Sequence, residues 1–383
     1  MSEAENKMNI PITRPVLGES EERAVVEVLR SGWLVQGPRV GEFERAVADY
    51  VGARHAVATS SCTTALHLTL LLHGIGPGDE VVVPSFTFIA TANVVRYVGA
   101  RPVFADVEYR TGNIDPKSIE TAITPKTKAI IVVHQLGLAA DMDAMDAIAR
   151  RYGLILIEDA APALGAYYKG RRVGSLGHST CFSFHPRKAI TSAEGGMIVT
   201  DDASLADQAR VLRTHGMSVS DLARHEASKV VIEKYDQLGF NYRMSDLHAA
   251  VGLQQLRRLD QVLADRRRLA ERYNQAFGDL DCLRLPFSSA ETPHTYQSYM
   301  LTILPEARVS RDDLMAKLLS VGIQSRRGVM AVHLESCYSE FRATLPVTEM
   351  LSSATILLPL YPAMTNEEQN FVIKHVRRFL VRR

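Results

Sequence analysis

Charge of one sign is not in excess in this chain. Its 44 Lys and Arg offset 43 Asp and Glu, for a formal net charge of +1. Without a basic surplus or a polybasic run, there is no electrostatic footprint for nucleic acid or an anionic membrane. The pairs Arg377-Arg378 and Arg382-Arg383 read as a solvated helix face. Long apolar runs are also missing; none approaches the roughly 18 residues of a membrane span. Residues 1–8 are polar and lack the apolar stretch of a secretory signal. Cysteine is scarce. Cys62, Cys181, Cys282 and Cys337 form no CxxC pair, which argues against a zinc site or disulfide framework and fits a reducing compartment. No repeat or low-complexity linker interrupts the sequence. The expectation is a cytoplasmic protein without a metal site.

What is present is an ordinary globular composition, 46% hydrophobic and 23% charged over 383 residues. That length fits one large domain and a smaller one. Residues 19–30 read as an amphipathic helix stopped by Ser31-Gly32, and residues 63–73 as a buried helix. After the strand His55–Thr59, short β-rich runs alternate with helical stretches between about 80 and 200. The strands are Glu80–Val83, Pro102–Val107, Ala129–His134, Leu154–Glu158, Thr180–His185 and Met197–Thr200. Ile89–Tyr97, Pro116–Ala122 and Met142–Tyr152 are the helices between them. This alternation predicts a mostly parallel sheet covered by helices on both faces, and runs such as AIIVVH and LILIED fit strands buried on both sides. From Ser245 to about Phe277 the pattern is continuously helical. Beyond it the strand Tyr299–Leu304, the helix Arg311–Val321 and the terminal helix Asn366–Val381 predict a smaller α/β domain. The division is placed at 1–255 and 256–383.

Chemistry concentrates at strand ends. Lys188 follows the strand FSFH and precedes the glycine pair Gly195-Gly196. A lysine held there, off any solvated helix face, can lose its proton and react as an amine. Asp159 ends the strand LILIED. A lysine for an aldehyde and a carboxylate for a pyridine nitrogen are what pyridoxal phosphate (PLP) requires. Asp159 can alternatively cap a helix beginning at Ala160-Ala161. Ser60 to Leu66 opens a helix with small hydroxyl residues and offers backbone N–H groups to a phosphate, with Ser183 as a further hydroxyl. In PSFTF, either Phe86 or Phe88 can stack on a flat ring while the other packs in the core. Asn241 and Arg243, in the loop GFNYRMSD, can hold an anion. His134 and His185 also fall at strand ends, where open α/β sheets bind ligands.

The ordered motifs SGWLVQGPRVGEFE, SSCTTALHL, GDEVVVPSFTFIATAN, ARPVFADV, IEDAA, FSFHPRK, EGGMIVTDD, GFNYRMSD and LPLYPAMT span roughly residues 10–365. Together they resemble the DegT/DnrJ/EryC1/StrS family of PLP-dependent sugar aminotransferases. The resemblance implies the aspartate-aminotransferase fold, with a mostly parallel seven-stranded sheet in the large domain and a smaller C-terminal α/β domain. It implies that Lys188 carries the cofactor as an internal aldimine and that Asp159 pairs with the ring nitrogen. Phe88 would stack on the ring, and Cys62, Thr63 and Ser183 would hold the phosphate. Asn241 would reach the phosphate of a neighbouring subunit in a homodimer with shared sites. L-Glutamate would donate the amine and a nucleoside-diphosphate keto sugar would accept it. Trp33, His185, Arg243 and His333 are candidates for the substrate. Trp33 can equally pack in the SGW turn, and His333 can be a satisfied loop histidine. Pro162 stands where the family often has His or Gln, so that contact is lost or supplied elsewhere, for example by His134. Competing readings are a PLP-dependent dehydratase, a cyclitol aminotransferase and a non-catalytic sensor. The dehydratases of the family carry histidine at the position that Lys188 occupies.

Overall fold

A computed structural model describes residues 8–219, 224 and 227–380. The polar residues 1–7, the expected helix end at Val381 and the pair Arg382-Arg383 lie outside them.

The strands β1 (His55–Thr59), β2 (Glu80–Pro84), β3 (Arg101–Ala105), β4 (Thr127–Val133) and β5 (Ile155–Asp159) form one sheet with two later strands. A short hairpin, β6 (Tyr167–Tyr168) and β7 (Arg171–Arg172), separates them from β8 (Ser179–Ser183) and β9 (Gly196–Thr200). The seven-stranded order is β1-β9-β8-β5-β4-β2-β3. Pairings among β3, β2, β4, β5 and β8 are parallel, and only β9 runs antiparallel, to β8 and β1. Ile157, Val81, Val83, Ile131 and Ile198 pack on one face, and Leu156, Val82, Ile130, Val132 and Val199 on the other. Strands covered on both faces need apolar residues at successive positions, which is why they lack polar alternation.

α1 (Glu19–Ser31) packs through Ala24 and Val28 on Ala250, and the sheet is covered by α2 (Pro38–Val51), α3 (Cys62–Leu72), α4 (Ala90–Tyr97), α5 (Pro116–Ala122), α6 (Met142–Tyr152) and α7 (Ala203–Leu212). The stretch expected to be one helix after Ser245 is two, α8 (Asp246–Arg257) and α9 (Leu259–Phe277). The break is at Arg258, whose backbone leaves helical geometry at φ −104° and ψ 0°. Its side chain reaches Glu21 and the Val16 carbonyl, tying the break to α1.

The second sheet has β10 (Leu283–Arg284), β11 (Tyr299–Ile303), β12 (Arg326–Arg327) and β13 (Thr355–Leu358), in the order β10-β11-β13-β12 and antiparallel throughout. The helices α10 (Arg311–Ser320), α11 (Pro346–Ala354) and α12 (Asn366–Leu380) accompany it. Two buried cores are joined through α9: Leu259 and Leu263 belong to the first, and Leu269, Tyr273 and Phe277 to the second. Ile10 is buried in the second core and bonds Gly322, so that core draws on both ends of the chain. Strands read from the sequence form within two residues of their expected ends. The strands β12 and β13 and the helices α2, α7 and α11 are absent from the sequence reading, although α2 buries Val40, Phe43, Val47, Ala48 and Val51 at helical spacing.

Candidate active site

The parallel strands end on a cleft of about 760 Å³, within the range of small-molecule sites. One wall comes from the carboxyl ends of β1, β2, β5 and β8, and the opposite wall from Gln297-Ser298, residues 326–330 and the end of β13. Lys188, Asp159, Cys62, Thr63, Phe88, Ser183 and His185 all line it.

Lys188 sits on a loop rooted by Phe184. Phe184 N–H donates to the Gly195 carbonyl (2.9 Å), and its own carbonyl accepts from Ser192 N–H (3.0 Å) and the Thr191 hydroxyl (2.9 Å). The Phe184 ring is fully buried against Phe43, 4.9 Å between centroids. A tight turn, Lys188 N–H to the His185 carbonyl at 2.8 Å, then presents the lysine to the cleft. Among the described residues the Lys188 amine has no hydrogen-bond or ion-pair partner. Burial lowers its pKa from 10.5, Cys62 and Asp159 oppose that shift, and Arg187 adds to it. An unpaired amine with a lowered pKa is more nucleophilic near neutrality than a surface lysine.

Asp159 is 5% exposed. One carboxylate oxygen accepts from the Thr91 hydroxyl (2.7 Å) and the other from Ala161 N–H (3.2 Å). No helix begins at Ala160, so the helix-cap alternative is overturned; the Ala161 contact is a local turn. Burial raises the Asp159 pKa above 3.8, against the lowering effects of Thr91, Ala161, Lys188 and His134. The sign follows from linkage. A folded-state pKa above the unfolded value means the folded chain holds its proton longer, so this carboxyl costs stability as pH rises from about 3.8 through the raised value. Asp159→Asn removes that cost. In the cofactor-free protein it will melt no lower than wild type at pH 7, and the gap will close toward acid. Melting curves between pH 4 and 8 check this, and a lower melting temperature at pH 7 contradicts it.

His134 does not take the place left by Pro162. It is fully buried, its Nδ1 accepts Ala140 N–H (3.1 Å), and its Nε2 donates to Glu158 (2.7 Å). Glu158 also accepts from the Thr180 hydroxyl at 3.0 Å. Alternation along β4 and β5 puts this pair on the sheet face opposite the cleft. Pro162 lines the cleft, as do Gln135 and Gln297.

At the other end of the cleft, Ser61 caps α3. Its hydroxyl accepts Thr64 N–H (3.2 Å) and the Thr64 hydroxyl accepts Ser61 N–H (3.0 Å), a reciprocal cap. Cys62 and Thr63 N–H donate to no protein acceptor among the described residues. The buried Cys62 thiol is held protonated by desolvation, with Asp159 and Cys181 adding to the rise, and it contacts the Cys181 carbonyl at 3.6 Å. Gly196 presses against this turn: a Cβ there would lie 2.3 Å from the Ser61 carbonyl atoms and 2.5 Å from Cys62 N. Phe88 is 60% exposed at the cleft, whereas Phe86 is fully buried with Val107 and Val329. That resolves the choice between them by position.

Four expected residues lie apart from this chain's cleft. The Trp33 indole donates to the Gln36 carbonyl (3.1 Å) and covers Gly37, as the packing alternative had it. His333 is buried, with Nδ1 2.6 Å from the Ser85 hydroxyl and Nε2 3.3 Å from Glu349, a satisfied loop histidine. Asn241 is exposed, on a loop held by Ser60 N–H to the Tyr242 carbonyl (2.8 Å) and by stacked Phe240 and Tyr242. Arg243, half-buried, follows on the same loop. Sequence reasoning missed Thr91, whose only signal was a hydroxyl in the first turn after SFTF. It also missed the Gly196 contact, although the glycine pair was visible.

The profile of the DegT/DnrJ/EryC1/StrS aminotransferase family matches residues 15–377. The spore coat polysaccharide biosynthesis protein SpsC of Bacillus subtilis (strain 168) is 41% identical over 374 residues, 96% of each chain. The aminotransferase TlmJ of Streptoalloteichus hindustanus is 35% identical with a TM-score of 0.89, covering 97% of this chain and 98% of that one. The PLP form of the sugar aminotransferase Spr1654 from Streptococcus pneumoniae, named putative, is 28% identical with a TM-score of 0.89, covering 98% of this chain and 100% of that one. With the fold and cleft already in place, these likenesses establish that the chain belongs to the DegT/DnrJ/EryC1/StrS aminotransferases and is a PLP-dependent sugar aminotransferase.

Proposed function

We propose that this enzyme takes the amino group of L-glutamate and gives it to the keto carbon of a nucleotide-linked sugar, with Lys188 and Asp159 as its central residues. The observation that carries this reading is the convergence in one cleft of an unpaired Lys188 amine, the Asp159 carboxylate and the free N–H groups of Cys62 and Thr63. These fit PLP: an amine for its aldehyde, an anion for its ring nitrogen and a helix start for its phosphate. When bound, PLP supplies an electrophilic aldehyde and an electron-accepting ring. Lys188 Nζ would hold the cofactor by its aldehyde and, once the donor amine has displaced it, would carry the proton from the donor's α-carbon to the aldehyde carbon. Asp159 holds the proton on the ring nitrogen; that positive charge offsets the desolvation the carboxylate suffers alone. Cys62 and Thr63 N–H, with the Ser183 hydroxyl, would hold the phosphate, and Phe88 would orient the ring. His185, half-buried in the cleft, faces the substrate.

Asn241 lies outside its own chain's cleft and exposed on a braced loop, which supports its serving a neighbouring subunit in a homodimer, with Arg243 beside it. The two cores fit the large and small domains divided after residue 255, with α9 and Ile10 crossing between them.

The test is the absorbance of the PLP-loaded protein before and after L-glutamate. A yellow band that bleaches, with release of 2-oxoglutarate, supports the donor and the first half-reaction. A band that never changes with L-glutamate sinks the donor assignment. Keto-sugar nucleotides and keto-cyclitols, offered next, separate the acceptor classes by which one restores the yellow band.

A further inference from the structure

We propose that Arg187 and Arg326 form an oxyanion subsite beside Lys188, which grips the carboxylate of the amino donor in one half-reaction and the diphosphate of the acceptor in the other. The inference rests on the donor and acceptor just proposed. Arg187 comes from the lysine loop and Arg326 from β12 in the second sheet; both are exposed and both line the cleft. Neither guanidinium has a hydrogen-bond or ion-pair partner among the described residues. Arg327, the neighbour, has Glu335 at 3.4 Å. Desolvation and the Arg326 charge both push the Arg187 pKa below its ordinary value, and no carboxylate offsets them. Of the cleft's two carboxylates, Asp159 is held by the Thr91 hydroxyl and Ala161 N–H, and Glu194 acts electrostatically on His185 and His248.

Two guanidiniums lining one cleft, with the charge of one felt by the other, repel. An oxyanion between them removes the repulsion and accepts paired N–H bonds from planar forks. The position suits both substrates. Arg187 adjoins Lys188 in the chain, so an anion held there leaves an attached amine or keto carbon to approach the lysine. A ping-pong enzyme admits its substrates in turn, and a single cationic pair can receive each one's anion.

The experiment is calorimetric titration of the PLP-loaded protein with 2-oxoglutarate and, separately, with inorganic pyrophosphate, for wild type, Arg326→Gln and Arg326→Lys. The expected result is that Arg326→Gln weakens both ligands about tenfold or more, the value of a lost charged hydrogen bond. Arg326→Lys is expected to fall between, because it keeps the charge without the fork. An unchanged yellow band shows that the cofactor's surroundings are intact in the variants. Wild type that binds neither ligand, or a variant that loses only one of them, overturns the shared subsite. If wild type bleaches with L-glutamate and the variants bind like wild type, only this subsite fails. If wild type does not bleach, the donor assignment fails first.

Discussion

Lys188→Ala will fold, will keep its cleft, and will show no spectral response to L-glutamate. The amine makes no hydrogen bond or ion pair among the described residues, and burial already disfavours its charge. Truncating it therefore breaks nothing that holds the loop, which is rooted at Phe184 and turned by backbone bonds. Stability of the cofactor-free protein is expected within about 0.5 kcal/mol of wild type. Turnover is another matter. A positioned proton carrier is worth about 10²–10⁴-fold, and Lys188 is also the group that presents the aldehyde for exchange, so the loss will exceed that range. Added methylamine should restore a small part of the rate by carrying the proton in Lys188's place. Circular dichroism, thermal melting and single-turnover absorbance with L-glutamate, with and without methylamine, measure all three points. Turnover within tenfold of wild type would remove Lys188 from the mechanism.

How far the sequence reached depends on where each residue's signal lies. β5 was legible because a strand buried on both faces must be nearly all apolar, so Asp159 at its end stood out. The same logic placed Lys188 after β8 and the hydroxyl-rich turn after β1. These sites share one property: each sits within a few residues of the strand that positions it. The opposite wall has no such signature. Gln297, Arg326 and Leu358 reach the cleft from three different segments, the loop before β11, β12 and β13, and β12 is only two residues long. Phe86 and Phe88 could not be told apart by type, because both suit an apolar strand end. Position decides: Phe86 turns into the core and Phe88 stands in the open cleft. His134, Trp33 and His333 carry a different kind of signal: each is a residue type that often serves substrates, and in this chain each has polar atoms on local partners that only the folded chain brings near.

Gly196→Ala will lower the enzyme's PLP affinity more than it lowers the cofactor-saturated rate. Gly196 opens β9, pairs with Thr59 of β1 and Ser183 of β8, and lies under the turn that starts α3. Its added methyl would meet Ser61 C and O at 2.3 Å and Cys62 N at 2.5 Å. Those neighbours are backbone, held by the reciprocal Ser61–Thr64 cap, so they cannot swing aside as a flexible side chain would. Either β9 or the start of α3 must move. Overpacking of this kind costs about 1–3 kcal/mol, and the displacement falls on the two N–H groups proposed to hold the phosphate. PLP affinity is expected to drop about tenfold to a hundredfold, with a lower melting temperature and a cofactor-saturated rate much less affected. Gly18→Ala is the matched control, since nothing lies within 4 Å of its added carbon. Absorbance titration of both cofactor-free variants with PLP gives the comparison. If Gly196→Ala binds PLP as tightly as Gly18→Ala, the start of α3 is not the phosphate cradle. If affinity falls while saturated turnover persists, the glycine serves the cradle and not the chemistry.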